Sequence, residues 1–196
     1  TPVRFAQTID WLGPDVWFAH LVHLQEDEVR MLGETRTGIA HCPQSNGRLG
    51  SGIAPLQALA KAGANISIAV DGAASNEAAD MISEVHAAWL MSRARSGSMS
   101  RAITHGGEGE KSVEMLTVDQ LVRWSTHGGA QVLGFPKLGE LAIGQLADIA
   151  LYDLTKDPRY FGVHDLACAP VICGGRAHLK RLWVGGQEVV RDGQLP

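Results

Sequence analysis

The chain has 196 residues, of which 45% are hydrophobic and 19% charged, a balance that excludes a disordered tail or a low-complexity scaffold. Its formal net charge of −4 argues against a dedicated nucleic-acid binder, and no run of about 18 apolar residues is present to span a membrane. The three cysteines, Cys42, Cys168 and Cys173, are too few for a disulfide framework and form no Cys-x-x-Cys pair, which points to a reducing, cytoplasmic setting.

The chain begins at Thr1 with no basic or long apolar leader and reads as part of a longer gene product. Val16-Trp17-Phe18-Ala19 is a buried-strand run after the turn Gly13-Pro14-Asp15. Glu26-Asp27-Glu28 suits the first turn of a helix with Val29 and Leu32 inward. A second strand, Gly38-Ile39-Ala40, leads into His41-Cys42-Pro43. Residues 54–62 predict a helix with Leu56, Leu59 and Ala60 on one face and Gly63 as its stop. A third strand over 65–70 runs into Asp71-Gly72. Strands alternating with helices of this length predict βαβ units and a parallel sheet.

Further along, Ser75-Asn76-Glu77 predicts a cap and an acidic first turn for a helix through Met81, Val85, Ala88 and Trp89 to about Ser92. The Gly- and Ser-rich stretch 96–112 reads as a long loop. Thr117-Val118-Asp119-Gln120 is a capping box that opens a helix to about Leu133. After Pro136 the texture becomes β-rich, with strands at Ile149-Ala150-Leu151-Tyr152 and Leu182-Trp183-Val184, and with Gly185-Gly186 turning a hairpin into Val189-Val190. The expected division is therefore 1–136, barrel-like α/β, and 137–196, a β-rich unit.

His20, His41 and Asp71 each follow a strand run, where the active groups of parallel α/β sheets gather. His20 and His41 are 21 residues apart and His41 and Asp71 are 30 apart, against a barrel unit of roughly 30 residues, and residues at consecutive strand ends of a barrel converge on one pocket. Imidazoles and a carboxylate are ligands for Zn²⁺ or Fe²⁺. His23, on the same segment as His20, is the right residue type for acid–base work near neutral pH.

These motifs carry a resemblance. Ala19-His20-Leu21-Val22-His23-Leu24, Ala40-His41-Cys42-Pro43-Gln44-Ser45-Asn46, residues 49–55 and Val70-Asp71-Gly72-Ala73-Ala74-Ser75-Asn76 resemble the metal-dependent amidohydrolase superfamily, in its cytosine/guanine deaminase and triazine hydrolase branch. Residues 126–130, 139–153 and 183–195 extend the likeness along almost the whole chain. The resemblance implies an α/β fold: the C-terminal half of a distorted (β/α)₈ barrel plus part of a small β-sandwich. It implies one divalent metal, zinc before iron, with His20 after the fifth strand and Asp71 after the eighth as ligands. His41, after the sixth, would contact the attacking water or the substrate, and Asp71 would also accept the water's proton. His23 stands where many of these deaminases have a glutamate as proton shuttle, so His23 becomes the expected shuttle, and Gln44 a substrate contact. The branch's upstream His-x-His ligand pair does not occur in this chain, which therefore reads as the C-terminal part of a protein of more than about 400 residues.

The resulting expectation is a hydrolytic deaminase of an amino-substituted heterocycle: a pterin such as isoxanthopterin, or an oxopurine such as 8-oxoguanine. Activated water attacks the ring carbon and ammonia leaves. The partner is a small molecule rather than nucleic acid or membrane, and the resemblance admits a homo-oligomer. Two alternatives stand beside it: a triazine or nucleoside-type hydrolase, and an inactive barrel kept as a small-molecule binding domain. Structural readings cover the rest. Asn46, like Gln44, suits a substrate contact, but Ser45-Asn46 suits a turn at least as well, Ser75 and Asn76 suit a helix cap, and Cys42 suits a small buried thiol rather than a nucleophile. His86 and His127 read as structural, and no role falls to His105, His164 or His178.

Overall fold

The period-2 and period-3.6 patterns fold into two sheets of opposite character in a computed structural model, which describes residues 1–104, 115–155, 157–173, 175 and 178–195. Helix α1 (Pro2–Thr8) leads to β1 (Trp17–Ala19), α2 (Glu26–Glu34) and β2 (Gly38–His41). Two short helices, α3 (Pro43–Arg48) and α4 (Leu56–Lys61), precede β3 (Asn65–Ile68). The strands pair in parallel in the order β1-β2-β3, with Phe18 opposite Ile39 and Ile39 opposite Ile66. All four residues of β2 are buried, as expected of a central parallel strand covered on both faces. The strands that the resemblance implies to be sixth and eighth are thus direct neighbours, with α3 and α4 rather than a strand between them.

The helices reach the sheet through the apolar positions read from the sequence: Val29 and Leu32 on α2, Leu56 and Leu59 on α4. Gly33 is what lets α2 touch the end of α4, since a Cβ there would lie 2.0 Å from the Ala62 carbonyl oxygen. The chain continues into α5 (Met81–Thr104), α6 (Val118–Arg123), a π-helical turn (Trp124–Gly128) and α7 (Gly129–Val132). Thr117 caps α6 through its hydroxyl, as its motif predicts. At Gly128 the π-helical turn presses on β3, where a Cβ would meet the Ile66 carbonyl oxygen at 2.1 Å.

Two expectations change in this part of the chain. Helix α5 begins at Met81, not near Ser75, and Asp80 does the capping: its carboxylate accepts from the Ile82 N–H at 3.1 Å and from the Ser83 hydroxyl at 2.9 Å. The helix also continues to Thr104 through residues expected to be a loop; the rest of that stretch, with His105, falls outside the described residues. Tertiary contact overrides the Gly/Ser propensity here. Ser92 and Ser96 are buried, Gln57 donates to both, and the Arg95 guanidinium donates to the Ile53 carbonyl at 2.7 Å.

The second sheet is antiparallel, in the order β4 (Ile149–Tyr152), β5 (Leu179–Val184), β6 (Gln187–Arg191). Gly185 and Gly186 turn the β5–β6 hairpin with φ of 56° and 81°, the left-handed pair that a two-residue turn of this twist requires. A short 3₁₀ turn (Pro158–Tyr160) and α8 (Ala169–Cys173) lie between β4 and β5. His86 on α5 donates through Nδ1 to the Val171 carbonyl of α8 at 2.9 Å, the structural role expected of it.

Candidate metal and catalytic site

His20 sits one residue beyond β1. Its N–H still donates to the Ala40 carbonyl at 2.9 Å, so the sheet holds the backbone while the chain turns sharply. His20 and Leu21 have φ of 67° and 47°, a left-handed conformation costly for such side chains and found where surrounding structure enforces it. The His20 ring donates through Nδ1 to the side-chain oxygen of Asn46, at 2.8 Å, and Asn46 is buried on α3. That bond puts the proton on Nδ1 and leaves the Nε2 lone pair free. Nε2 lies 3.7 Å from Asp71 Oδ2.

Asp71 follows β3 and also has a positive φ, 65°. Its Oδ2 accepts from the Ser45 hydroxyl at 2.6 Å and from the Ser75 hydroxyl at 3.1 Å. The Ser45 bond, then the Gly72 backbone, holds the carboxyl below its ordinary range, so it is ionised at neutral pH. Ser75 therefore serves Asp71 rather than a helix N-terminus.

His41 is the last residue of β2 and is 1% exposed, and neither ring nitrogen has a hydrogen-bond partner among the described residues. Burial first, and then the charge of His20, pushes its pKa down to about 4. The ring is therefore neutral near pH 7, with one N–H and one lone pair to offer. A buried imidazole without partners is costly unless something else completes its bonding.

Cys42 contributes a feature that the sequence reading missed. One ligand atom each from His20, Cys42 and Asp71 lies within 4.8 Å of the others. Burial, with Asp71 and Glu84 nearby, drives the Cys42 thiol up to about 12. Of the three groups, only the imidazole and the carboxylate offer lone pairs without first losing a proton. This donor set, with the partnerless His41 ring, fits a divalent metal such as zinc whose remaining ligands come from elsewhere.

The other expected residues are placed less tightly. His23 is exposed, and its ring makes no hydrogen bond or ion pair among the described residues. Gln44 is half-buried, with its side-chain nitrogen buried and without a partner among the described residues. Its backbone N–H donates to Glu84 at 3.2 Å. Asn76, read from sequence as a cap, instead donates through Nδ2 to the Val70 carbonyl at 2.9 Å and to Glu84. Glu84 is fully buried, and burial raises its carboxyl to about 7. The signal that points to it is an acid on the apolar face of a helix, beside Val85 and Ala88. His127 pairs with Glu140 at 3.3 Å, and His178 with Asp157 at 2.8 Å, both away from this cluster.

A profile of the Amidohydrolase family matches residues 1–189. An isoxanthopterin deaminase from an unknown prokaryotic organism is 53% identical over 192 residues, covering 98% of this chain and 40% of the relative. An 8-oxoguanine deaminase of Pseudomonas aeruginosa is 41% identical, covering 98% of this chain and 39% of its own length. Among solved structures, a zinc-complexed atrazine chlorohydrolase of Arthrobacter aurescens TC1 superposes with a TM-score of 0.85 at 28% identity, covering all of this chain and 40% of that one. The chain thus spans about 40% of the length of the curated relatives it matches.

Proposed function

Because the chain belongs to the amidohydrolase family, we propose that it forms part of a longer, metal-dependent hydrolase that deaminates an amino-substituted heterocycle, a pterin such as isoxanthopterin or an oxopurine such as 8-oxoguanine. The observation that carries this reading is the approach of His20 Nε2 to Asp71 Oδ2, 3.7 Å, beyond the ends of β1 and β3, the two strands that flank β2 in one parallel sheet. In this reading residues 1–136 belong to the barrel and 137–196 to the small β unit, and the protein works in the cytoplasm. No described helix is long and apolar enough to cross a membrane.

His20 and Asp71 would hold the metal, zinc before iron, together with ligands from outside this chain. When bound, such a metal supplies a water activated for attack near neutral pH. The rest of the chemistry belongs to the chain's own side chains. Asp71, ionised and anchored through Oδ2 by Ser45 and Ser75, accepts the proton of the attacking water. His41, neutral and without a partner among the described residues, offers its N–H or its lone pair to the substrate or the water. His23, exposed and three residues beyond His20, carries a proton to the ring nitrogen, and the amino group departs as ammonia once it receives the proton that Asp71 took from the water. The partnerless amide nitrogen of Gln44 is free to donate to a ring oxygen.

The test is ammonia release by the full-length, zinc-loaded protein over isoxanthopterin, other pterins, 8-oxoguanine, guanine, cytosine and aminotriazines. Turnover of isoxanthopterin or 8-oxoguanine above the others supports the proposal. A panel without ammonia release overturns it. The likeness to the atrazine chlorohydrolase favours one second reading, a triazine-type hydrolase, which release of chloride or alkylamine would establish.

A further inference from the structure

Behind the candidate ligands lies a closed ring of contacts that joins two strand ends. Ser45, following β2, donates to Asp71, following β3. The neighbouring Gln44 backbone N–H donates to one carboxylate oxygen of Glu84 at 3.2 Å. The other oxygen accepts from Asn76 Nδ2, which also donates to the carbonyl of Val70, the residue before Asp71. Glu84 is 0% exposed and Asn76 4%, so water does not substitute for these bonds.

The carboxylate is specific to this arrangement. Both of its partners are N–H donors, so it must supply two acceptors, and an amide supplies a donor where an acceptor is needed. Among the described residues no lysine or arginine pairs with Glu84, so burying it costs stability that simple packing would not. A buried polar group kept at such cost, bridging the two segments that carry the site, points to a role in holding that site.

We propose that Glu84 is a positioning residue: it locks the segment after β2 to the segment after β3, and so sets the Ser45 hydroxyl on Asp71 and the Asp71 carboxylate opposite His20. The inference rests on the reading of Asp71 as metal ligand and proton acceptor.

The test compares Glu84→Gln, Asp71→Asn and the parent in the full-length protein, by steady-state kinetics and by zinc affinity from chelator competition. Glu84→Gln keeps the shape and breaks one arm of the bridge. The expected result is a 10- to 100-fold loss of kcat with KM within about 3-fold, and zinc affinity about 10-fold weaker, in protein that remains folded. Parent-like kcat per bound zinc together with parent-like zinc affinity overturns the proposal. If Asp71→Asn is inactive while Glu84→Gln behaves as the parent, only the role of Glu84 fails. If Asp71→Asn retains activity, the underlying reading of Asp71 fails, and the positioning role with it. Should Glu84→Gln not accumulate as folded protein, Asn76→Ala cuts the same bridge from the other side, with the same two outcomes.

Discussion

The side chains of His20 and Asp71 face one another at 3.7 Å, Nε2 to Oδ2, although neither is free to wander: Asn46 holds the far side of the imidazole and Ser45 holds the carboxylate. Both holding residues are buried on the same short helix, α3. One turn of helix therefore sets the orientation of two groups that belong to different strands. Orientation by buried hydrogen-bond partners is how metal ligands are kept in one tautomer and one rotamer before the metal arrives.

Asp71→Asn keeps the volume of the side chain but removes its charge and its capacity to take a proton. In the full-length enzyme kcat is expected to fall by about 10³-fold, within the range that a positioned base contributes. The Tm should change by only a few degrees. Steady-state kinetics and a thermal melt check both halves, and a kcat within a few-fold of the parent would count against Asp71 as proton acceptor.

Asn46→Ala leaves the His20 ring without the acceptor that keeps its proton on Nδ1. Zinc affinity is expected to weaken by about 10- to 100-fold, the usual cost of losing such a partner. Chelator competition reads this directly, without reference to turnover. An unchanged affinity would mean that the ring is oriented by its backbone turn alone.

His23→Ala separates a proton shuttle from a bystander. His23 is exposed, so its removal leaves packing intact. If it carries the proton, kcat drops by about 10²-fold while KM moves little. An unchanged kcat would leave the ring nitrogen to be protonated by another group.

The β-rich part offers a prediction about stability in acid. The Asp157 carboxyl lies well below its ordinary range, chiefly because the Arg159 guanidinium donates to it at 2.7 Å and 3.0 Å, and then through the Arg159 backbone N–H and His178. A carboxyl whose folded pKa is depressed binds fewer protons folded than unfolded. Its contribution to stability is therefore complete above about pH 4, the ordinary value, and disappears as pH falls through the folded one. Asp157→Asn should lower Tm at pH 6, and the gap to the parent should narrow progressively as pH falls below about 4. A gap that stayed constant over that range would assign Asp157 no pH-linked role.

Strand-end placement made His20, His41 and Asp71 readable, because in a parallel sheet the chain direction alone says where each strand's last residues gather. The capping box at Thr117 and the Gly185-Gly186 hairpin were equally legible, since each depends on residues within a few positions. The cap expected from Ser75 and Asn76 failed for a related reason. Both side chains suit a helix N-terminus, but the nearby Asp71 and the buried Glu84 offer them stronger, charge-assisted partners. The loop expected over 96–104 failed because Gln57 and Arg95 tie that segment to the α4 region, a contact invisible to local propensity.

By itself, then, the sequence determined the parallel strand pattern, the family likeness and which groups could bear chemistry, because residue type and chain direction act locally or along one strand. Only the tertiary structure decided which nitrogen of His20 faces Asp71, that His41 is buried and neutral, and that Glu84 braces both strand ends. Those outcomes depend on desolvation and on hydrogen-bond partners brought from other elements, and no local pattern of residues encodes either.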